Sequence, residues 1–131
     1  QYDNGTVAQA AKIAGREPVW LNTSDAQRRC IKDGDVVRLF NNRGMCLAGA
    51  RITDDVRPGV VRLATGAWYD PVTPGEPGTL CRHGNPNVLT LDRGTSKLAQ
   101  GPSAQTCLIE VELWSGAVPD VETLKPPSVV T

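Results

Sequence analysis

Residues 18–64 pass between short apolar runs and polar turns at a spacing that predicts strands. Pro18-Val19-Trp20-Leu21 is a buried-strand candidate. Asn22-Thr23-Ser24-Asp25 then reads as a helix start, with Asn22 able to cap and Asp25 suited to the first turn. That helix is expected over 23–29, its basic end Arg28-Arg29 matching the negative end of the helix dipole. Asp33-Gly34-Asp35 is a turn and Val36-Val37-Arg38-Leu39-Phe40 a strand. Asn41-Asn42-Arg43-Gly44 predicts a hairpin turn in which Gly44 can take positive φ. The return strand is expected over 45–52, with small residues Ala48, Gly49 and Ala50 inside it. After a turn over 54–59 comes a third strand, 60–64. Strands this closely spaced suggest a barrel or sandwich.

The flanks are less regular. Residues 1–17 are polar and rich in Ala and Gly, with weak structure signals. Residues 72–78 form a loop, because Pro74 and Pro77 forbid a central strand. Residues 88–91 suit a short helix or strand. Cys107-Leu108-Ile109-Glu110-Val111-Glu112-Leu113 alternates apolar and acidic residues in its second half and reads as a half-buried strand. Residues 115–131 carry three prolines and little periodicity, as expected of an extended tail, frayed or lying on another surface. The organisation expected is therefore one domain, 1–113, and a tail, 114–131.

Composition narrows the function. A chain of 131 residues fits one domain. Fourteen basic and fourteen acidic residues cancel, so nothing favours nucleic acid or an anionic membrane as a partner. No apolar run approaches the roughly 20 residues that span a bilayer, and no signal peptide is visible. The first residue is Gln rather than Met, which reads as a fragment of a longer product. Cys30, Cys46, Cys81 and Cys107 stand far apart without a Cys-x-x-Cys pair, so a structural zinc site is not expected. Buried or semi-buried free thiols are the expectation, and they favour the cytoplasm, although a protein exported after folding, hence periplasmic, would look the same.

The chemistry concentrates in residues 81–105, where His83, Asn85, Asn87, Thr90, Asp92, Thr95, Ser96, Gln100, Ser103 and Gln105 crowd together with three glycines. Amide side chains offer both donors and acceptors, and glycines let the backbone come close to a partner. Val88-Leu89 and Leu98-Ala99 can anchor the segment to a core. His83 is the only histidine, so it is the sole imidazole base available, or a donor to a ligand, or structural. No Gly-x-Ser-x-Gly elbow, phosphate-binding P-loop or Gly-x-Gly-x-x-Gly turn occurs. Asp54-Asp55 reads as a solvated turn. Trp68-Tyr69-Asp70-Pro71 can stack on a flat heterocycle or pack in a core. Asn87, Gln100 and Gln105 suit either a polar heterocycle or local turn capping. The residues alone therefore imply a β-rich ligand-binding domain without catalytic machinery of its own.

Several strings together resemble one family. They are Gly15-Arg16-Glu17-Pro18-Val19, Ile31-Lys32-Asp33-Gly34-Asp35-Val36-Val37-Arg38, Arg57-Pro58-Gly59-Val60, Gly66-Ala67-Trp68-Tyr69-Asp70-Pro71, Asn87-Val88-Leu89-Thr90 and Gly94-Thr95-Ser96 with Leu98-Ala99-Gln100. The chain resembles the C-terminal, molybdopterin-dinucleotide-binding domain of the dimethyl-sulfoxide reductase family, nearest to biotin sulfoxide and trimethylamine-N-oxide reductases. The resemblance runs from residue 1 to about Leu113.

It implies a mainly β fold, a double-psi β-barrel with a few short helices. It implies a longer parent enzyme in which two molybdopterin guanine dinucleotides hold one molybdenum. There the metal cycles between Mo(VI) and Mo(IV) as oxygen leaves an S-oxide or N-oxide. The partners implied are that cofactor and the upstream domains of the same polypeptide, with the metal-ligating serine upstream and this piece inactive alone. Carried over by position, the cofactor-binding residues are Gln1, His83, Asn87, Gln100, Gly101, Ser103 and Gln105, Gln1 ending a His-Ser-Gln string. One departure is Cys30, where relatives commonly have Gly. A left-handed cap there carries a penalty of about 1 kcal/mol for a non-Gly residue, so the helix is expected to end differently. The competing reading is a stand-alone barrel module for another ligand or a protein partner. A small autonomous decarboxylase or protease on this barrel would need a nucleophile or dyad that is not found.

Overall fold

The computed structural model describes residues 3–103, 107–126 and 129. In chain order the elements are α1 (Thr6–Ala11), β1 (Pro18–Leu21), α2 (Thr23–Arg28), β2 (Val36–Phe40), β3 (Met45–Ile52), β4 (Val61–Leu63), β5 (Leu80–Cys81), a 3-10 turn (Pro86–Val88) and β6 (Glu110–Leu113). The sheet order is β4-β1-β3-β2-β6, with β5 joining β3. β3 is parallel to both β1 and β5 and antiparallel to β2. This mixed sheet curls into an open half-barrel, mainly β with a few short helices, as the double-psi class requires.

Alternation decides which residues enter the core. Val19 and Leu21 of β1, Val37 and Leu39 of β2, Cys46, Ala48 and Ala50 of β3 and Val111 of β6 share one buried cluster. Ala48 and Ala50 are small on the concave face of the central strand, which leaves room for the sheet to curl. The other face of β3 is covered as well, since Leu47 and Gly49 are also buried. Gly49 has no room for a side chain, because a methyl there would collide with Ile13. Residues 13–17 thus lie as a second layer over β3, held by Glu17 N–H donating to the His83 carbonyl at 3.1 Å.

Asn22 caps α2, its side chain accepting from the Ser24 N–H at 3.0 Å. The end of α2 differs from expectation. Cys30 takes φ 55°, its N–H donating to Gln27, while the Ile31 N–H donates to Ala26 at 2.9 Å. Those two bonds form a Schellman cap with cysteine in the left-handed position. They satisfy two carbonyls and outweigh the Cβ strain. Cys30→Gly is expected to raise the unfolding free energy by up to about 1 kcal/mol, read as a higher urea midpoint at constant slope.

Two other expectations change. Gly44 does not have positive φ; a Cβ there would lie 2.6 Å from the Val88 carbonyl oxygen, so close approach requires the glycine. All four cysteines are free, Cys46 and Cys81 buried and Cys107 partly so, but Cys30 is exposed rather than buried. Beyond β6, the chain returns to the barrel. Arg16 donates to the Pro119 carbonyl, and the buried Asp70 carboxylate accepts the Glu122 N–H at 2.8 Å. Among the described residues no helix is long and apolar enough to cross a membrane.

Candidate functional site

The half-barrel has an open seam. Among the described residues, β4 pairs only with β1 and β6 only with β2. β4 and the residues just before β6 border a cleft of about 600 Å³. One wall is Val61, Arg62, Leu63 and Thr65; another is Cys107 and Ile109; the third is Pro86, Asn87, Leu89 and Thr90. The lining is largely apolar, with Asn87, Thr65 and Thr90 among its polar residues, and among the described residues it holds no acidic side chain. A smaller cleft of about 330 Å³ continues the seam past Val61 and Ile109 toward Asp25 and Arg29.

The wall that carries Asn87 is built locally. Asn85 caps the 3-10 turn, its side-chain oxygen accepting the Asn87 N–H at 2.9 Å. Pro86 opens the turn, where its missing N–H costs nothing. Leu89 is buried below it, and Asn41 Nδ2 donates to the Leu89 carbonyl at 2.9 Å. Thr90 Oγ1 donates to the Asn87 carbonyl at 3.3 Å. The Asn87 side-chain amide is thereby left without a hydrogen bond among the described residues, at the edge of the cleft.

His83 lies elsewhere. It is fully buried, with Nδ1 3.0 Å from the Trp68 carbonyl oxygen and 3.7 Å from Asp3 Oδ2. Donation to that carbonyl puts the proton on Nδ1, which leaves Nε2 as a buried acceptor without a partner among the described residues. Burial lowers the His83 pKa, and the nearby Lys12 ammonium lowers it further, so the ring is neutral at pH 7. The Lys12 ammonium also meets Asp3 at 2.7 Å and Glu17 at 3.6 Å. Burial alone would raise the Asp3 pKa, but Lys12 and the Trp68 N–H hold it below the usual carboxylate range. Glu17 is pushed up by burial, with Lys12 opposing. This charged cluster fastens residues 3, 12, 17, 68 and 83 together behind β3.

Gln100, Gly101 and Ser103 belong to a closed finger. Its neck is the Gly94–Pro102 bridge and the Thr95 N–H donating to the Gly101 carbonyl at 2.9 Å. Gln100 Nε2 donates to the Ser96 carbonyl at 2.9 Å, and Ser103 Oγ to the Arg93 carbonyl at 2.8 Å. Both side chains therefore shape the finger, at whose turn Leu98 is 99% exposed. Gln1 and Gln105 lie outside the described residues. Trp68 and Tyr69 are half-exposed, their rings outside the core. Of the carried-over residues, Asn87 alone lines the seam cleft among those described. Arg62 is the cleft residue that the sequence reading passed over as part of a strand. Its side chain alternates away from those of Val61 and Leu63 and lies 4.3 Å from the Trp20 ring on the other face of β4, so nothing in the spacing marks it as a cleft residue. Among the described residues no group of three or more His, Cys, Asp or Glu is placed to hold a metal ion.

Comparison with known proteins gives these features a family. A family model described as Molydopterin dinucleotide binding domain matches residues 1–108. Trimethylamine-N-oxide reductase 1 of Escherichia coli (strain K12) is 55% identical over 119 residues, covering 91% of this chain and 14% of that protein. Dimethyl sulfoxide/trimethylamine N-oxide reductase of Cereibacter sphaeroides is 49% identical over 125 residues, covering 95% of this chain and 15% of that protein. The chain thus spans about one-seventh of the length of the curated relatives it matches. Among solved structures, acetylene hydratase from Pelobacter acetylenicus superposes with a TM-score of 0.65 at 14% identity, over 86% of this chain and 16% of that one. That likeness concerns the fold. The chain belongs to the family of molybdopterin-dinucleotide-binding domains.

Proposed function

We propose that residues 1–113 bind a molybdopterin guanine dinucleotide as the C-terminal domain of a molybdenum N-oxide or S-oxide reductase, with 114–131 a tail laid partly on the barrel. The observation that carries the reading is the seam cleft. It is concave, partly apolar and, among the described residues, free of acidic side chains, with an amide that is uncommitted among those residues. A pterin presents ring nitrogens, an amino group and a carbonyl, which an amide such as Asn87 matches as donor and acceptor together. The dinucleotide is anionic, and among the described residues the lining carries no carboxylate to repel it. The residues present therefore fit the group. When bound, the cofactor supplies the two-electron redox couple of its molybdenum. This chain's residues would hold and orient it.

Gln100, Gly101 and Ser103 are assigned a backbone-shaping part, presenting the finger rather than an open amide. His83 is assigned to the buried cluster that keeps the turn after β5 in place. The cofactor site is completed by upstream parts of the same polypeptide, consistent with relatives about seven times longer.

The test is molybdenum and pterin analysis of the full-length polypeptide that contains this chain. The expected result is both, in fixed ratio to protein; finding neither rejects the reading. Asn87→Ala is expected to weaken cofactor retention by about ten- to a hundredfold, the effect of leaving buried ligand groups unpaired. Unchanged retention would remove Asn87 from the site.

A further inference from the structure

β3 and β5 run parallel, and their register sets Cys46 directly beside Cys81. Register partners on neighbouring strands point their side chains to the same face. Both thiols enter one core cluster, and neither has any exposed surface. Both are free. Neighbouring strands lie about 4.8 Å apart, inside the Cα separation of roughly 4.4–6.8 Å that a disulfide spans. Burial raises the Cys46 pKa and the nearby Cys81 side chain raises it further, so Cys46 is held as a thiol at pH 7. The other two cysteines are placed differently. Cys30 is exposed at the end of α2, and Cys107 Sγ donates to the Leu89 carbonyl at 2.9 Å.

β5 is the strand that can open. It consists of Leu80 and Cys81, and among the described residues it pairs in the sheet with Met45 and Cys46 of β3. On its other side the segment around Pro71 adds two bonds, the Val72 N–H to the Leu80 carbonyl at 2.9 Å and the Arg82 N–H to the Asp70 carbonyl at 2.8 Å. So short a strand opens locally without unfolding of the sheet. The chain beyond it carries Asn87 and Leu89, in one wall of the seam cleft. We propose that Cys46 and Cys81 are a redox-convertible pair, closed to a disulfide by a small-molecule disulfide when β5 opens, and that the closed form fastens this wall to the central strand. The step is two thiol–disulfide exchanges. Cys81 lies on the strand that opens, so its thiolate attacks the small disulfide, forms a mixed disulfide and releases one small thiol. The Cys46 sulfur then displaces the second small thiol and forms the Cys46–Cys81 bond. The protein gives up two hydrogens with their electrons, and the small disulfide is reduced to two thiols. Closing draws the two Cβ atoms slightly together, a shift that a two-residue strand can follow.

The test uses the folded full-length polypeptide that contains this chain, with Cys30→Gly to remove the exposed thiol. It is held with oxidised glutathione at a series of urea concentrations below the unfolding transition. The remaining thiols are then alkylated in denaturant, and the peptides are mapped by mass spectrometry. The expected product is a peptide pair linked from Cys46 to Cys81 and separated by dithiothreitol. Its rate of formation is expected to change by less than about twofold across the urea series, as local opening requires. In Cys46→Ala, glutathione is expected to stay on Cys81, because no second thiol displaces it. Recovery of Cys46 and Cys81 as separate alkylated peptides overturns the proposal. So does a linkage rate that climbs with urea along the slope of global unfolding. In the linked protein the Arg82 amide is expected to exchange about tenfold more slowly or better. Unchanged exchange overturns the fastening of the wall. None of these readings involves bound cofactor, so this inference and the cofactor reading stand or fall separately.

Discussion

Replacing Lys12 with methionine is expected to lower the unfolding free energy by about 3–5 kcal/mol. The Lys12 and Asp3 side chains are 3% and 2% exposed and meet at 2.7 Å. A pair this deep gains little over an apolar pair of the same shape, because both charges were taken out of water. Removing only one partner is different, since it leaves Asp3 ionised, buried and facing Glu17 across the gap. The measurement is equilibrium urea unfolding at pH 7, read as a lower midpoint without a change in slope. The double variant Asp3→Leu with Lys12→Met should recover much of the loss, because no uncompensated charge remains. If the single and double variants lose the same amount, packing of the lysine stem rather than charge is responsible. The sign with pH follows from Asp3. Its folded pKa lies below its ordinary value of 3.8, so its contribution is present above that value. The contribution disappears as pH falls through the lower folded value, and acid should therefore narrow the gap between wild type and Lys12→Met.

That cluster also marks where the sequence stopped being informative. Lys12, Asp3, Glu17 and His83 are up to 80 positions apart, and nothing in their spacing foretells one buried group. Strand periodicity was a better guide. The runs 18–21, 36–40 and 45–52 are β1, β2 and β3 with the bounds that alternation predicts. β4, expected over 60–64, is shorter at both ends, and β6 begins only at Glu110, because residues 107–109 line the seam instead of pairing. α1 was missed because Gly5 supplies no side-chain cap and its first turn holds no acid. β5 was missed for another reason: two residues carry no periodicity, and only pairing of Cys81 with Cys46 across the fold makes them a strand.

The same limit applies to the amide-rich segment. Asn87 and Gln100 look alike in the sequence, each in a polar run beside an apolar pair. Gln100 lies at the neck of a finger whose own carbonyls are within reach, so its amide turns inward to Ser96 and Lys97. Asn87 follows a residue that already caps the turn, so its amide has no local partner to find. Whether an amide serves the backbone or a ligand depends on loop closure, a property of the folded chain. The outer face of β3 makes a similar point. Leu47 and Gly49 alternate with the core residues as solvent-facing positions would, yet both are buried, Gly49 directly against Ile13.

Leu39→Ala is expected to cost about 2–5 kcal/mol, the range for truncating a fully buried leucine. Leu39 has no exposed surface and sits opposite Cys46 of β3 on one side and Val111 of β6 on the other. Its side chain is the packing link between the central strand and the edge strand that leads into one wall of the seam cleft. A cavity there cannot be filled easily from β3, where the neighbours across the concave face are Cys46 and Ala48. The loss should therefore fall first on β6. Hydrogen exchange is expected to show the amides of Val111 and Leu113 losing protection more than those of Val19 and Leu21, which lie on the far side of β3. Because Cys107 and Ile109 precede β6 and line the cleft, the same variant in the full-length polypeptide should retain less cofactor than its stability loss alone explains. The comparison variant is Val19→Ala, which opens a cavity on β1, away from β6. If both variants lose cofactor in proportion to stability, β6 has no separate part in holding the seam. If Leu39→Ala loses disproportionately more, the core residue beneath the edge strand governs the shape of the site above it.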